Sequence, residues 1–366
     1  MGILNTSNPT LADVVSRLDG NKKIDTEIIE MMSETNEMLQ DLTSIEANGV
    51  TEHLTTVRTG LPEVAWRMLN WGVQPSKSTT AQIKDSIGML SALSEIDKKL
   101  ALINGWSGMW RLTEDSAFIE AMSQKVKRAV IYGNDKTGVD QILGLAPRYC
   151  SGDPKKADNA KNIIDAGGKG NKLTSIWLLC WSPRTLFTTY QKGSRAGISH
   201  QDLGEYLTTD ADGGKYVCLG TKYDWDLGLV LRDWRYVVRI ANIDQEALTD
   251  DPQTDGGTDL IRLLMTAKNK LPNLNTGRIA FYCNREVRNA LEAQCMNRKN
   301  VQLSLDQVSQ AHPVLKYAGI PIRIVDALTP TEKRVPFPTK TTESGGASQG
   351  GASQEGTTQG GQGNGS

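Results

Sequence analysis

Between Thr55 and Lys84 the chain reads TTVRTGLPEVAWRMLNWGVQPSKSTTAQIK, short runs of Val, Trp, Leu and Thr broken by Pro62, Gly72 and Pro75. β-branched and aromatic residues favour strands, while proline is tolerated only at strand edges and bulges. The pattern therefore predicts a long twisted β-hairpin with irregular borders. A lone two-stranded hairpin buries little. Its two tryptophans, Trp66 and Trp71, are exposed unless another surface covers them, and an apolar patch on a projecting arm calls for a partner. The alternative is a hairpin folded back on its own domain.

Charge separates this hairpin from what precedes it. It carries Arg58, Arg67, Lys77 and Lys84 against Glu63 alone, whereas eight acids and no Lys or Arg lie between Lys23 and Arg58. In the acidic stretch Ile24, Ile28, Met31, Thr35, Met38, Leu42 and Ile45 recur at helical spacing, which predicts an amphipathic helix over 24–46. Its acids either form a solvated face or lie near the basic hairpin of the same or an adjacent subunit. In the second case Glu30 and Glu34 would answer Arg58 and Arg67.

Downstream, Thr113 offers a cap and Glu114 and Asp115 suit a helix N-terminus, with Lys125, Lys127 and Arg128 in the last turns before Gly133. Phe118, Ile119, Met122, Val126, Ala129 and Val130 give this helix, 113–132, one apolar stripe. SIWLLCW (175–181) reads as a buried strand and DWRYVVRIANID (233–244) as a long one, with loop and strand edges over 200–216. Residues 259–270 read as helix, 278–283 as strand, and Asn284 caps a helix carrying Val287, Leu291 and Cys295; a strand follows at 320–325. At 366 residues the chain has room for roughly two domains, and the alternation over 155–325 makes the body α+β. After Phe337 no apolar residue larger than Ala occurs, and GGASQ repeats in tandem, so 339–366 reads as a disordered Gly/Ser/Gln tail.

The chemistry found is fragmentary. Five scattered cysteines without a CxxC pair and three separated histidines supply neither a zinc set nor a disulfide framework, so no metal site is expected. GGKGNK (167–172) lacks the GxxxxGK[ST] spacing that cradles a phosphate and reads as a turn. DADGG (210–214) begins like a calcium loop but has Lys215 at the sixth position and Thr221 at the twelfth. No catalytic residue and no cofactor are assigned, and the chain is not read as an enzyme. Lys plus Arg (41) against Asp plus Glu (42) argues against a protein that grips nucleic acid by its phosphates. No apolar run nears the roughly 18 residues of a membrane span, and no secretory signal opens the chain, so it is expected to be soluble and intracellular, without a membrane partner. A body with complementary arms and no enclosed chemistry has the profile of an assembly subunit.

LNTSNPTLADV, TTVRTGLP, WGVQPSKSTT, EDSAFIEAM, LAPRY, NIIDAGG and DWRYVVRIANID, in that order from Leu4 to Asp244, resemble the major capsid proteins of short-tailed double-stranded DNA bacteriophages, built on the Hong Kong 97-type coat fold. The resemblance implies an N-terminal arm (1–52) and an E-loop hairpin (53–84). It implies a P-domain (85–154 and 223–246, with spine helix 113–132 and strand 233–244) and an A-domain (155–222 and 247–320). A C-terminal P-domain segment (321–338) and the tail would complete the chain. It further implies self-assembly through hexamers and pentamers into an icosahedral shell around the genome, each E-loop lying over a neighbouring P-domain. Arg58, Arg67, Trp66, Trp71, Lys77, Glu30 and Glu34 are then the subunit-interface candidates. Expected partners are further copies of the chain, a cement or decoration protein, a scaffolding protein, a portal, and packaged DNA touched weakly and nonspecifically. The expected location is the virion capsid, assembled in the host cytoplasm. An encapsulin-like compartment on the same fold and an enzyme of unrecognised class are the competing readings.

Overall fold

The computed structural model describes residues 37–102, 107–138, 141–210, 212–248, 258–297, 303–306 and 314–338. In chain order the strands are β1 (Ser44–Glu46), β2 (Glu52–Gly60), β3 (Thr79–Asp97), β4 (Ile163–Asp165), β5 (Leu173–Trp181), β6 (Leu186–Tyr190), β7 (Ser199–Thr209), β8 (Lys215–Leu231), β9 (Val237–Asp244), β10 (Arg278–Cys283), β11 (Leu303–Asp306), β12 (Val314–Tyr317) and β13 (Ile320–Ile324). The α-helices are α1 (Glu37–Asp41), α2 (Lys98–Leu102), α3 (Ser107–Tyr132), α4 (Leu145–Arg148), α5 (Leu260–Lys270) and α6 (Arg285–Asn297).

β5 organises the body. Its sequence, LTSIWLLCW, is apolar on both faces, and all nine residues are buried. It pairs antiparallel with β10 on one side and with β9 on the other. The sheet runs β11-β12-β13-β10-β5-β6-β8-β3-β2, with β4 joined to β9, β7 to β8 and β1 to β6. Successive β5 side chains feed two cores, because neighbours along a strand point to opposite faces. Trp177, Leu179 and Trp181 join Val126, Val130 and Ile131 of α3, while Ile176 and Leu178 join Leu260 and Leu264 of α5 and Val287 and Leu291 of α6.

The segment after β13 straps the first core. Glu332, buried in this strap, accepts from Arg239 Nη2 at 2.7 Å and from the hydroxyls of Ser175 and Tyr132. Burial and the Glu332 carboxylate push the Tyr132 hydroxyl above its ordinary range, which keeps it a donor. The Arg239 guanidinium also donates to the Tyr149 carbonyl at 2.8 Å and lies 5.0 Å from the Trp177 ring centroid. Further along, Asn242 adopts φ 60°, a conformation asparagine tolerates better than most residues, and its amide exchanges two hydrogen bonds with Val335.

Several sequence expectations need amending. The 24–46 helix does not run to its end: α1 stops at Asp41, and Ser44–Glu46 become β1, parallel to β6. A ladder waiting at the edge of β6 outweighs helical spacing there; the Ala47 amide donates to the Tyr190 carbonyl. The long helix starts six residues before Thr113, because a capping residue permits a helix start without forcing one. Residues 234–236 form a 3-10 turn held by the Asp233 carboxylate, so the strand begins at Val237. The loop and strand edges expected over 200–216 are mostly strand, a hairpin of β7 turning into β8, because β8 also pairs with β3 and gives β7 a template. The cap on α6 is as expected: Asn284 Oδ1 accepts from Val287 N at 2.9 Å. The tail 339–366 and the first part of the acidic stretch, residues 24–36 with Glu30 and Glu34, lie outside the described residues.

Candidate assembly surface

The arm is built from β2 and the first half of β3, paired from Glu52↔Ser86 to Gly60↔Thr79 with an irregularity between Arg58 and Gly60. Pro62 and Pro75 cannot donate to a ladder, so pairing ends there and residues 61–78 form an irregular tip. The tip is held by small contacts: Asn70 at φ 66° lets Trp71 N reach the Met68 carbonyl at 3.3 Å, and the Ser76 hydroxyl donates to the Glu63 carbonyl at 2.7 Å. None of these buries side chains. Trp66 is fully exposed, Trp71 is 68% exposed, and Leu61, Val64, Met68, Leu69 and Val73 stand open beside them. Covering one indole of ~150–250 Å² at ~25 cal/mol per Å² would contribute roughly 4 to 6 kcal/mol. The hairpin therefore does not fold its tip back on its own body.

Arg58, Arg67 and Lys77 are exposed on this arm. Of the eight acids in the acidic stretch, Glu37, Asp41, Glu46 and Glu52 are described, and only Glu52 meets a base of the hairpin, Lys84 Nζ at 3.0 Å. Asp41 and Glu37 turn toward the body, Asp41 accepting from Arg323 and from the Tyr282 hydroxyl and Glu37 from Ile324 N, while Glu46 stays exposed and accepts from Gly193 N.

On the body, a groove of about 270 Å³ lies between α3 and the β3–β8 ladder. Met89, Leu90, Val126, Ala129, Trp225 and Leu227 line it, and Lys125 and Arg128 belong to its rim. Sequence reading passed over Trp225, although Tyr223, Trp225 and Leu227 alternate with Asp224, Asp226 and Gly228 and mark a strand with an apolar face.

The remaining motifs are occupied by structural roles. The amides of Gly167 and Gly170 already donate to the carboxylates of Asp165 and Asp244, which leaves that glycine loop unfit to cradle an anion. Asp210 closes the β7–β8 turn through the amides of Asp212 and Gly214. Cys180, Cys218 and Cys283 are buried thiols, and burial pushes Cys283 up to about 12, far from a nucleophile's range. Among the described residues no group of three or more His, Cys, Asp or Glu is placed to hold a metal ion.

No curated protein matches. Among solved structures, a chain of bacteriophage Epsilon15 superposes with a TM-score of 0.73 at 31% identity, over 92% of this chain and 99% of that one. The capsid of bacteriophage JBD30 aligns with 87% of this chain and 99% of its own, at 8% identity and a TM-score of 0.48. The family profile for "Major capsid protein GP7" matches residues 19–336. A chain so matched, with an arm whose apolar tip its own body leaves bare, belongs to the GP7 family of phage major capsid proteins.

Proposed function

We propose that the subunits close into hexamers and pentamers, each hairpin tip lying on the body of the next copy, and that these rings build an icosahedral shell around double-stranded DNA. The observation that carries the reading is the bare apolar tip. One chain with a donor arm and an acceptor surface makes a head-to-tail contact, and such contacts close into rings when the rotation allows. The groove lined by Met89, Leu90, Trp225 and Leu227 is the acceptor we favour, since it offers an indole an apolar floor. Trp66 and Trp71 would anchor, while Arg58, Arg67 and Lys77 would steer encounter.

On this reading 1–52 is the N-terminal arm and 53–84 the E-loop. The P-domain is 85–154 with 223–246, closed by 321–338, and the A-domain is 155–222 with 247–320. The near-neutral charge suits a container that touches its genome weakly. Cement, scaffolding and portal proteins are the further partners, host cytoplasm is the place of assembly, and the chain carries no enzymatic activity. Electron microscopy of the purified, concentrated protein tests the reading: rings or shells are expected, and a small closed oligomer under all conditions would overturn it. Copurifying enzyme cargo in place of DNA would redirect it to an encapsulin-like compartment.

A further inference from the structure

Arm and body share one strand. β3 pairs with β8 over Ile87–Asp97 and with β2 over Thr79–Ser86, so the arm leaves the body where β3 changes partner, between Ser86 and Ile87. Among the described residues β2 pairs with no strand except β3. A strand passing from one ladder to another can twist or bend at the junction with little loss of backbone pairing; a single backbone bond, Ile87 N to the Thr51 carbonyl at 3.0 Å, crosses it, so the arm's tilt rests largely on side-chain contacts.

A buried ion pair spans that junction. Asp85, two residues before the body ladder begins, is 3% exposed, and its Oδ1 accepts from Arg148 Nη2 at 2.7 Å. Arg148 belongs to the body: it ends α4, and the same Nη2 also donates to the Leu229 carbonyl at 3.0 Å and the Leu143 carbonyl at 3.1 Å. Beside the pair, His53, opposite Asp85 in the β2–β3 register, sets its ring edge-on to Phe187 of β6 at 5.5 Å. Two of the arm's first residues are thus tied to the body, one by charge and one by an aromatic contact. The second Asp85 oxygen, Oδ2, is buried with no hydrogen-bond partner, which leaves Arg148 as the main compensation for that carboxylate. Separating the pair would strand a buried charge, so departures from this arm angle are resisted.

We infer that the Asp85–Arg148 pair is a clasp that positions the arm, holding it at one angle to the body so that every subunit presents its tip alike. The consequence for the shell rests on the reading of the tip as the contact between copies, whereas the clasp itself is a property of the free subunit.

Pulsed electron–electron resonance on the full-length, unassembled chain tests it. Spin labels would be carried by Thr80→Cys, at the far end of the arm ladder, and Lys136→Cys, on the body, in a Cys150→Ser, Cys295→Ala background. With the clasp intact the distance distribution should be narrow, and Asp85→Asn should broaden it about twofold, because a neutral amide no longer holds the guanidinium. Arg148→Lys keeps the charge but loses the planar fork, and should broaden it by less. Should Asp85→Asn fail to fold, the Arg148→Lys result decides. A distribution as narrow as that of the parent in the variant that folds would overturn the clasp. In shells made from the clasp variants, particle diameters should scatter more widely than those of the parent. Failure of the parent chain to form any particle would count against the proposed function and leave the distance measurement standing.

Discussion

β5 and the arm tip are both rich in apolar residues, and they end in opposite places. All nine residues of β5 are buried between two cores, while Leu61, Val64, Trp66, Leu69 and Trp71 are exposed. The difference lies in what the surrounding chain supplies. β5 has a strand on each side and a helix layer on each face; the tip has prolines that end its ladder and no layer at all. The body is stabilised by itself, and on the proposed reading the tip is covered by a second copy. Substitutions in the two regions should therefore separate folding from assembly.

The largest effect belongs to the body. Glu332→Ala should cost the isolated subunit about 3 to 5 kcal/mol, because Arg239 would be left charged and buried. Chemical denaturation of unassembled protein reads this directly, and a loss below ~1 kcal/mol would mean the strap contributes little. Next comes Trp71→Ala, expected to remove about 2 kcal/mol or more of contact energy, which is roughly a thirtyfold rise in the concentration needed for assembly. The unfolding midpoint of the free subunit should hardly move. An equal loss in both measurements would place Trp71 in the subunit's own core and erase the contrast.

A smaller effect sharpens the contrast within the arm. Arg58→Glu with Arg67→Glu should slow assembly at low salt, since exposed pairs are worth only about 0.2 to 1 kcal/mol each and are screened over ~8 Å at physiological salt. Adding Glu30→Lys and Glu34→Lys should restore part of the rate. A quadruple variant no faster than the double would mean that the acidic and basic blocks do not face each other. The smallest effect, none, is expected from truncation after Pro338, because the Gly, Ser and Gln that follow offer little to pack. Truncated chains that stay folded and monomeric would make the tail a contact.

What could be read in advance follows from how local each signal is. α5 and α6 were legible because their caps and periodicity agree: Asp259 and Asn284 each accept an amide of the first helical turn, as residues of their type do. The arm was legible for a similar reason, since proline and glycine punctuate its own sequence. β1 and β7 were not, because each exists only as an addition to a strand far away in the chain, β6 and β8. The acidic stretch shows the limit most clearly. Counting charge found the block, but Asp41 spends its carboxylate on Arg323, a residue 282 positions later. The groove and the Asp85–Arg148 pair were equally hidden, since both are made by folding distant segments together.

β3 has a mechanical consequence. Its 19 residues, about 60 Å at ~3.3 Å per residue, run unbroken from the tip of the arm into the middle of the body. A pull on the tip travels along the strand axis and reaches the β3–β8 ladder parallel to its length, at eleven paired positions from Ile87↔Gly228 to Asp97↔Cys218. Loaded in that direction the hydrogen bonds share the force as a lap joint does, where a perpendicular pull would peel them apart one pair at a time. If neighbouring copies hold the tips as proposed, a load drawn along β3 would meet this ladder in the geometry in which it gives way last.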